Sequence, residues 1–308
     1  MNLTHTCLEC LYRQIENFLH TLQSPSSYAA PSQAEILSQT KRIINSLPTI
    51  GGDCMDADSI DTDSALPPPK AAIAIYENLA KALNEPDPYK HIKTHSIESA
   101  ARILTNATIP TSTLSDCIKV AALGNVIDYG SQSRFSFESD FDFAQLSFAR
   151  FDIEAFEGGL ENAKSLLYIA DNAGENLFDV VLLRHLRAHY PNLSIVYLVR
   201  GKPIINDLTM EDLAHPLCAE IHTLCDVRSS HLASPGFIYT DAPADVRALF
   251  DNANIIVAKG MGNYECLESL KRANLFLLFK VKCSVVAQYS GFGLGKMVFL
   301  HNKGGENA

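Results

Sequence analysis

Two hydrophobic rhythms divide the chain. In the first, Leu8, Leu11, Tyr12, Ile15, Phe18 and Leu19 recur at three- and four-residue steps, which places them on one face of a helix. Ser32 and Glu35 form a capping-box pair ahead of Ile36, Leu37, Ile43, Ile44 and Leu47, so a second helix starts there. Further helices fit Lys70 to Leu83, His95 to Asn106 and Leu114 to Asn125. From about residue 163 the rhythm changes to short apolar runs alternating with helical stretches, the pattern of a parallel sheet with crossover helices. The predicted strands are Leu166 to Ala170, Ser194 to Val199, Glu220 to Leu224, Ile255 to Ala258 and Leu275 to Val281. The predicted crossover helices are Leu177 to Tyr190, Met210 to Pro216, Ala242 to Ala253 and Tyr264 to Arg272. Residues 130 to 162, rich in Ser, Phe and Asp, read as the connection between a mainly helical region (1–150) and an α/β domain (151–308).

Composition narrows the function classes. With 308 residues, 47% of them hydrophobic, the chain can bury a full core. The 35 acidic residues outnumber the 25 basic ones, and a net charge of −10 repels a phosphate backbone, which argues against nucleic acid as a partner. An acidic protein that handles phosphate must neutralise it locally, with a metal or a few placed lysines. No apolar run approaches the roughly 20 residues that span a bilayer, so no membrane partner is expected. The first 20 residues lack a basic start, an apolar core and a cleavage site, and the cytoplasm is the expected compartment. Eight cysteines scattered over the chain fit free thiols in a reducing compartment.

The chemistry lies in the segments just after the strands. In an open α/β sheet ligands bind beyond the carboxyl ends of the strands. After the first predicted strand comes Asp171-Asn172-Ala173-Gly174-Glu175, and after the second Arg200-Gly201-Lys202-Pro203-Ile204-Ile205-Asn206-Asp207. After the fourth comes Lys259-Gly260-Met261-Gly262-Asn263, and the last strand carries Lys280 and Lys282, two apart and so on one face. Two carboxylates and an amide oxygen are hard ligands suited to Mg²⁺, Mn²⁺ or a similar ion. Gly174 would let a phosphate approach the backbone at a helix N-terminus, and the lysines would supply positive charge. Glu175 and Asn206 stand in the same segments and are counted on the substrate side. An ordinary strand-to-helix turn explains any one segment alone, and the convergence of all of them at one sheet edge is what favours a site.

These residues also resemble a known family. DNAGENLFD at 171–179, VRGKPIIND at 199–207, AKGMGNYE at 258–265 and FKVKCSVVA at 279–287 resemble the domain of unknown function 89 family, the damage-control metal phosphatases. CLECLYRQ at 7–14, DPY with Lys93 at 87–93 and GNVID at 124–128 resemble its CxxC-bearing prokaryotic branch. The resemblance implies a helical N-terminal region packed on a Rossmann-like three-layer α/β/α domain. It also implies a metal-dependent phosphatase (Mg²⁺, Mn²⁺, Co²⁺ or Ni²⁺) acting on a small phosphorylated metabolite. By motif position it implies that Asp171, Asn172 and Asp207 hold the metal and are catalytic. Asn125, Asp128, Lys259, Asn263 and a lysine of the last strand would lie near the substrate.

Other signals carry less. Cys7 and Cys10 have zinc-knuckle or redox spacing, but no second CxxC completes a four-ligand site, and packed thiols on a helix are expected. The aspartates between 53 and 63 lack the Gly and Glu of an EF-hand loop. The run Gly291, Gly293, Gly295, Lys296 fails the Walker spacing and reads as a turn before a last strand. Asp171 could be a nucleophile, but Ala173 breaks the DxD pattern of aspartyl-phosphate enzymes, so water is the expected attacker. A non-catalytic metal- or nucleotide-binding regulator on the same fold is the rival reading.

Overall fold

The computed structural model of the protein describes residues 1–21, 31–48, 66–124 and 146–303. In chain order these form α1 (His5–Thr21), α2 (Gln33–Ser46), α3 (Pro68–Leu83), α4 (Lys90–Asn106), α5 (Leu114–Leu123), β1 (Phe148–Phe151), α6 (Ile153–Leu160), β2 (Ser165–Ile169) and α7 (Glu175–His189). Then come β3 (Ser194–Val199), α8 (Ile221–Leu224), β4 (Asp226–Ser229), α9 (Ala244–Asn252), β5 (Ile255–Lys259), α10 (Met261–Leu267), β6 (Leu275–Lys280), α11 (Ser284–Ser290) and β7 (Met297–His301). The local signals act as expected. The apolar stripe of α1 is buried, and Ser32 and Glu35 cap the start of α2 reciprocally.

The seven strands lie in the order β1-β7-β6-β5-β2-β3-β4. From β6 to β4 every neighbouring pair is parallel, whereas β7 runs antiparallel to β6 and carries β1 parallel beside it. Asp152 ties that reversed edge together, its N–H donating to Phe299 O at 2.9 Å and its carboxylate accepting from His301 N at 2.8 Å. Sequence order runs outward from β2 in both directions, so the topological switch lies between β2 and β5. A crevice opens there at the carboxyl ends.

Alternation along the strands divides the core into layers. Leu166, Tyr168, Ile195, Tyr197, Val257, Phe276 and Leu278 pack with α4, α5, α6 and α7. Leu167, Ile169, Leu198, Ile256, Leu277 and Phe279 pack with α9, α10 and α11. A third cluster joins α1, α2 and α3, and takes in Ile204 from the loop after β3. The protein is thus mixed α/β, with a mostly parallel sheet and helices at the N-terminus.

Three expectations need correction. Glu220 to Leu224 does not form a strand: Ile221–Leu224 is one helical turn, and the strand is Asp226–Ser229. That strand is the sheet's edge and none of its residues is buried, so it has no apolar run to announce it. Met210 to Pro216 contains only a 3₁₀ turn, Asp212–Ala214, because the Asp212 carboxylate folds back onto Thr209 N and Oγ1 at 2.8 and 2.7 Å. Within the predicted connection, β1 and α6 are regular elements of the sheet layer.

Phe156 of α6 is fully buried and packs edge-on against both Phe276 and Phe299, with ring centroids 5.1 and 5.4 Å away. Phe156→Ala should therefore lower the unfolding free energy by about 3–5 kcal/mol. Urea denaturation checks this, and a change under about 1 kcal/mol would show that the reversed edge adds little to the core.

Candidate metal centre

The end of β2 and the loop after β3 are stitched together by their backbones. Asn172 and Asp207 form an isolated antiparallel bridge, Leu208 N donates to Asp171 O at 2.8 Å, and Ala173 N donates to Asn206 O at 2.9 Å. Asp171, Asn172 and Asp207 are thereby brought together, with Asn206 serving through its carbonyl. Between Arg200 and Asp207 the chain passes through Ile205 at φ +47°, a conformation a β-branched side chain resists at a cost of about 1–3 kcal/mol. Packing of Ile204 and Ile205 against the α1–α3 cluster holds it there. Lys93 of α4, fully buried, pairs with Asp87 at 2.5 Å and with Asp212 at 2.9 Å, fastening α4 to the segment after Asp207.

Arg200 is the first cation of the site. Its Nε donates to Asp207 Oδ2 at 2.7 Å, and its guanidinium lies 3.6 Å from Asp171 Oδ1. It also donates to Asn263 Oδ1 at 3.3 Å and to Pro235 O at 3.1 Å. Lys259, at the end of β5, is the second. It is fully buried, with Nζ 2.6 Å from Asp179 Oδ1 and 2.9 Å from Glu175 Oε2. The Asn172 amide nitrogen donates to Glu175 Oε1 at 2.9 Å and to Asp171 Oδ2 at 3.2 Å, so any ligation by Asn172 goes through its oxygen.

These contacts leave charge over. The carboxylates of Asp171, Glu175, Asp179 and Asp207 are all buried and pair with two buried cations, Arg200 and Lys259, while Lys93 and Lys282 act on Asp207 and Asp171 from outside these pairs. Burial, reinforced by Glu175 and Asp207, holds the Asp171 carboxyl well above the usual range, against the pull of Arg200 and Lys282. Burial raises Asp207 as well, with Arg200 drawing it back down. Burial lowers Lys259, but Asp179 and Glu175 more than reverse this and keep it a firm cation.

The residues fit a small divalent cation. The buried carboxylates outnumber the cations paired with them, which suits a divalent ion, and Gly260, at φ +87°, lets the Asp171 carboxylate sit against the end of β5: a Cβ there would lie 1.9 Å from Asp171 Oδ2. Among the described residues no three His, Cys, Asp or Glu side chains group as a metal site, so a cation here relies on the Asn172 amide beside the two aspartates. Cavities of about 420 and 350 Å³ open elsewhere, one beside α4 and Leu217, the other at the start of β2 and β3, and neither is lined by these residues.

Comparison with known proteins bears on this arrangement. The sequence model of the family described as Damage-control phosphatase ARMT1-like domain matches residues 3–298. The chain belongs to this family. A relative from Archaeoglobus fulgidus named Damage-control phosphatase is 32% identical over 237 residues, 74% of this chain and 80% of that one. A Damage-control phosphatase of Pyrococcus horikoshii is 31% identical over 242 residues, 77% of this chain and 82% of that one. The crystal structure of a domain of unknown function 89 family protein from Pyrococcus horikoshii shares the fold, with a TM-score of 0.77 at 24% identity, covering 98% of this chain and all of that one.

Within this family fold several predicted substrate residues turn out to be engaged by the protein itself. The bare face of Gly174 is filled by α4, since a Cβ would lie 2.8 Å from Ser96 O, and Gly174 N donates to Asn176 Oδ1 at 2.9 Å. That turn is shaped by helix packing. The Asn263 amide spans Ala170 O, Lys259 O, Phe237 N and Arg200, so it ties strand ends together. Lys259 serves two carboxylates, Glu175 and Asp179, beside the candidate metal ligands. Lys282 lies close enough to Asp171 to lower its pKa and, like Lys280, is partly exposed. Asn125 and Asp128 lie outside the described residues, as does the acidic stretch at 53–63. The sequence reading gave no role to Arg200, Asp179 or Asp212. Arg200 stands at a strand end and Asp179 four residues after Glu175 on one helix face, and both signals were available.

Beside the centre, Glu265 of α10 is buried, which pushes its carboxyl up to about 8 against the pull of the Met1 ammonium. Its folded pKa exceeds the ordinary 4.5, so its contribution to stability is complete below about 4.5 and is lost as pH rises through about 8. Relative to Glu265→Gln, the wild type should lose stability between those pH values at up to about 1.4 kcal/mol per unit, then level off. Urea midpoints at pH 5 to 9 check this, and parallel curves would refute it.

Proposed function

We propose that this protein is a metal-dependent phosphatase that hydrolyses phosphate monoesters of small metabolites, with Asp171, Asn172 and Asp207 holding the divalent cation. The observation that carries this reading is the cluster of buried carboxylates at the β2–β3 strand ends, which outnumber the cations paired with them, with the Asp171 carboxylate seated against the bare α-carbon of Gly260. Family membership and two relatives named phosphatase support it. When bound, the metal would polarise a phosphoryl oxygen and activate water.

The chain's own residues do the rest. Arg200 takes up one oxygen of Asp207 and approaches one of Asp171, which fixes the direction of both carboxylates. Lys282, whose charge acts on Asp171 and whose side chain is partly exposed, would add positive charge for the phosphate. Because a net charge of −10 gives a dianion no long-range attraction, binding relies on such short contacts.

The test is turnover of p-nitrophenyl phosphate with Mg²⁺, Mn²⁺, Co²⁺ or Ni²⁺. Asp171→Asn and Asp207→Asn should each lower kcat/KM by roughly a hundredfold or more, with unchanged circular dichroism. Gly260→Ala should weaken Mn²⁺ binding from the β5 side by displacing Asp171. Full activity in excess chelator, or normal turnover in either Asn variant, would overturn the metal assignment, and absence of turnover with every metal would favour a non-catalytic role.

A further inference from the structure

We propose that Asp179 is a positioning residue for the metal-ligand set, acting through Lys259 and Glu175 to fix the side chain of Asn172. The proposal rests on the metal reading given above. Asp179 sits one turn after Glu175 on α7, so both carboxylates project from the same helix face. Between them lies the Lys259 ammonium, 2.6 Å from Asp179 Oδ1 and 2.9 Å from Glu175 Oε2.

Asp179 is itself fixed from the sheet. Tyr168 and Tyr197 are register partners on β2 and β3, stacked with ring centroids 5.2 Å apart. Both hydroxyls donate to Asp179, one to each oxygen, each at 2.7 Å. With Lys259 these donors satisfy the Asp179 carboxylate, and its full burial removes it from any substrate. It therefore acts only through its neighbours. The path runs from the two tyrosines to Asp179, to Lys259, to Glu175, and from Glu175 Oε1 to the Asn172 amide nitrogen at 2.9 Å.

That amide is the weakest member of the ligand set, because it carries no charge to draw it to a cation and can rotate by 180°. Holding its nitrogen against Glu175 and Asp171 leaves the oxygen as the atom offered elsewhere. A buried ion pair of this kind is weak evidence for stability, since apolar replacement of both partners is often neutral. Its placement directly under a metal ligand gives it a different use.

The experiment separates positioning from mere stability. Mn²⁺ alone is titrated by calorimetry into wild type, Asp179→Asn, the charge-balanced double variant Asp179→Asn/Lys259→Met, and the double variant Tyr168→Phe/Tyr197→Phe, with urea unfolding of each in parallel. Asp179→Asn should weaken Mn²⁺ binding roughly 10- to 100-fold. The Asp179→Asn/Lys259→Met variant keeps the total charge but leaves Glu175 without its cation, so it should be no more stable than Asp179→Asn and its Mn²⁺ affinity should be weakened at least as far. The tyrosine variant, which keeps every charge, should lose affinity severalfold. If Asp179→Asn fails to fold, the two double variants decide between the alternatives. Wild-type affinity in the charge-balanced variant would overturn the proposal while leaving the metal site in place. Absence of Mn²⁺ binding in the wild type would overturn the site reading, and this proposal with it.

Discussion

Arg200 and Lys259 each hold a pair of buried carboxylates, and the two clamps meet at Asn172. Everything else at the sheet edge serves that arrangement. A carboxylate alone in such a place would protonate before it stayed charged, because removing it from water costs more than folding can spare. The fold meets this by giving Glu175 and Asp179 a cation nearly to themselves, anchored by two tyrosine hydroxyls. Asp171 and Asp207 share the Arg200 guanidinium, which bonds Asp207 closely and lies farther from Asp171. Each pair is one positive charge short, and at the second the bare α-carbon of Gly260 accommodates the Asp171 carboxylate where a Cβ would collide with it.

Topology decides where such an arrangement can form. Only at the switch between β2 and β5 do chain segments turn away to either side and leave strand ends uncovered. The N-terminal helices then act on the site without contributing its central groups. Ile204 and Ile205 are gripped by the α1–α3 cluster, and Lys93 fastens α4 to Asp212. The strained backbone at Ile205 sits two residues before Asp207 and is held by apolar packing on the helices, so the loop that positions Asp207 is set by residues far away in sequence.

The sequence made some of this legible and hid the rest for physical reasons. β3 matched its apolar run residue for residue, because a strand buried in the sheet interior leaves an unbroken signature. β4 was displaced by a few residues, since Asp226–Ser229 is a polar edge strand next to a helical turn that carries the apolar residues. That Asp171, Asn172 and Asp207 stand at one sheet edge followed from strand-end logic, and their assignment to a metal followed from the family resemblance. The internal use of Lys259 and Asn263 did not, because spacing alone cannot tell a lysine that meets substrate from one that meets a carboxylate on a neighbouring helix. Asp179 was hidden for the same reason: its partners come from β2, β3 and β5, and no local pattern joins them.

The reversed edge of the sheet has a consequence for the order in which the molecule assembles. β1 finds its backbone partner only in β7, and the Asp152 contact to His301 closes over 149 residues of chain. As the polypeptide emerges from the ribosome, β2, β3, β4 and β5 can pair while Phe148 and Phe151 still wait for the strand that covers them. Such distant pairing is slow to form, because the loop must close before any contact rewards it. The interval in which those two aromatic rings stay open to solvent is therefore set by the time needed to translate the intervening half of the protein.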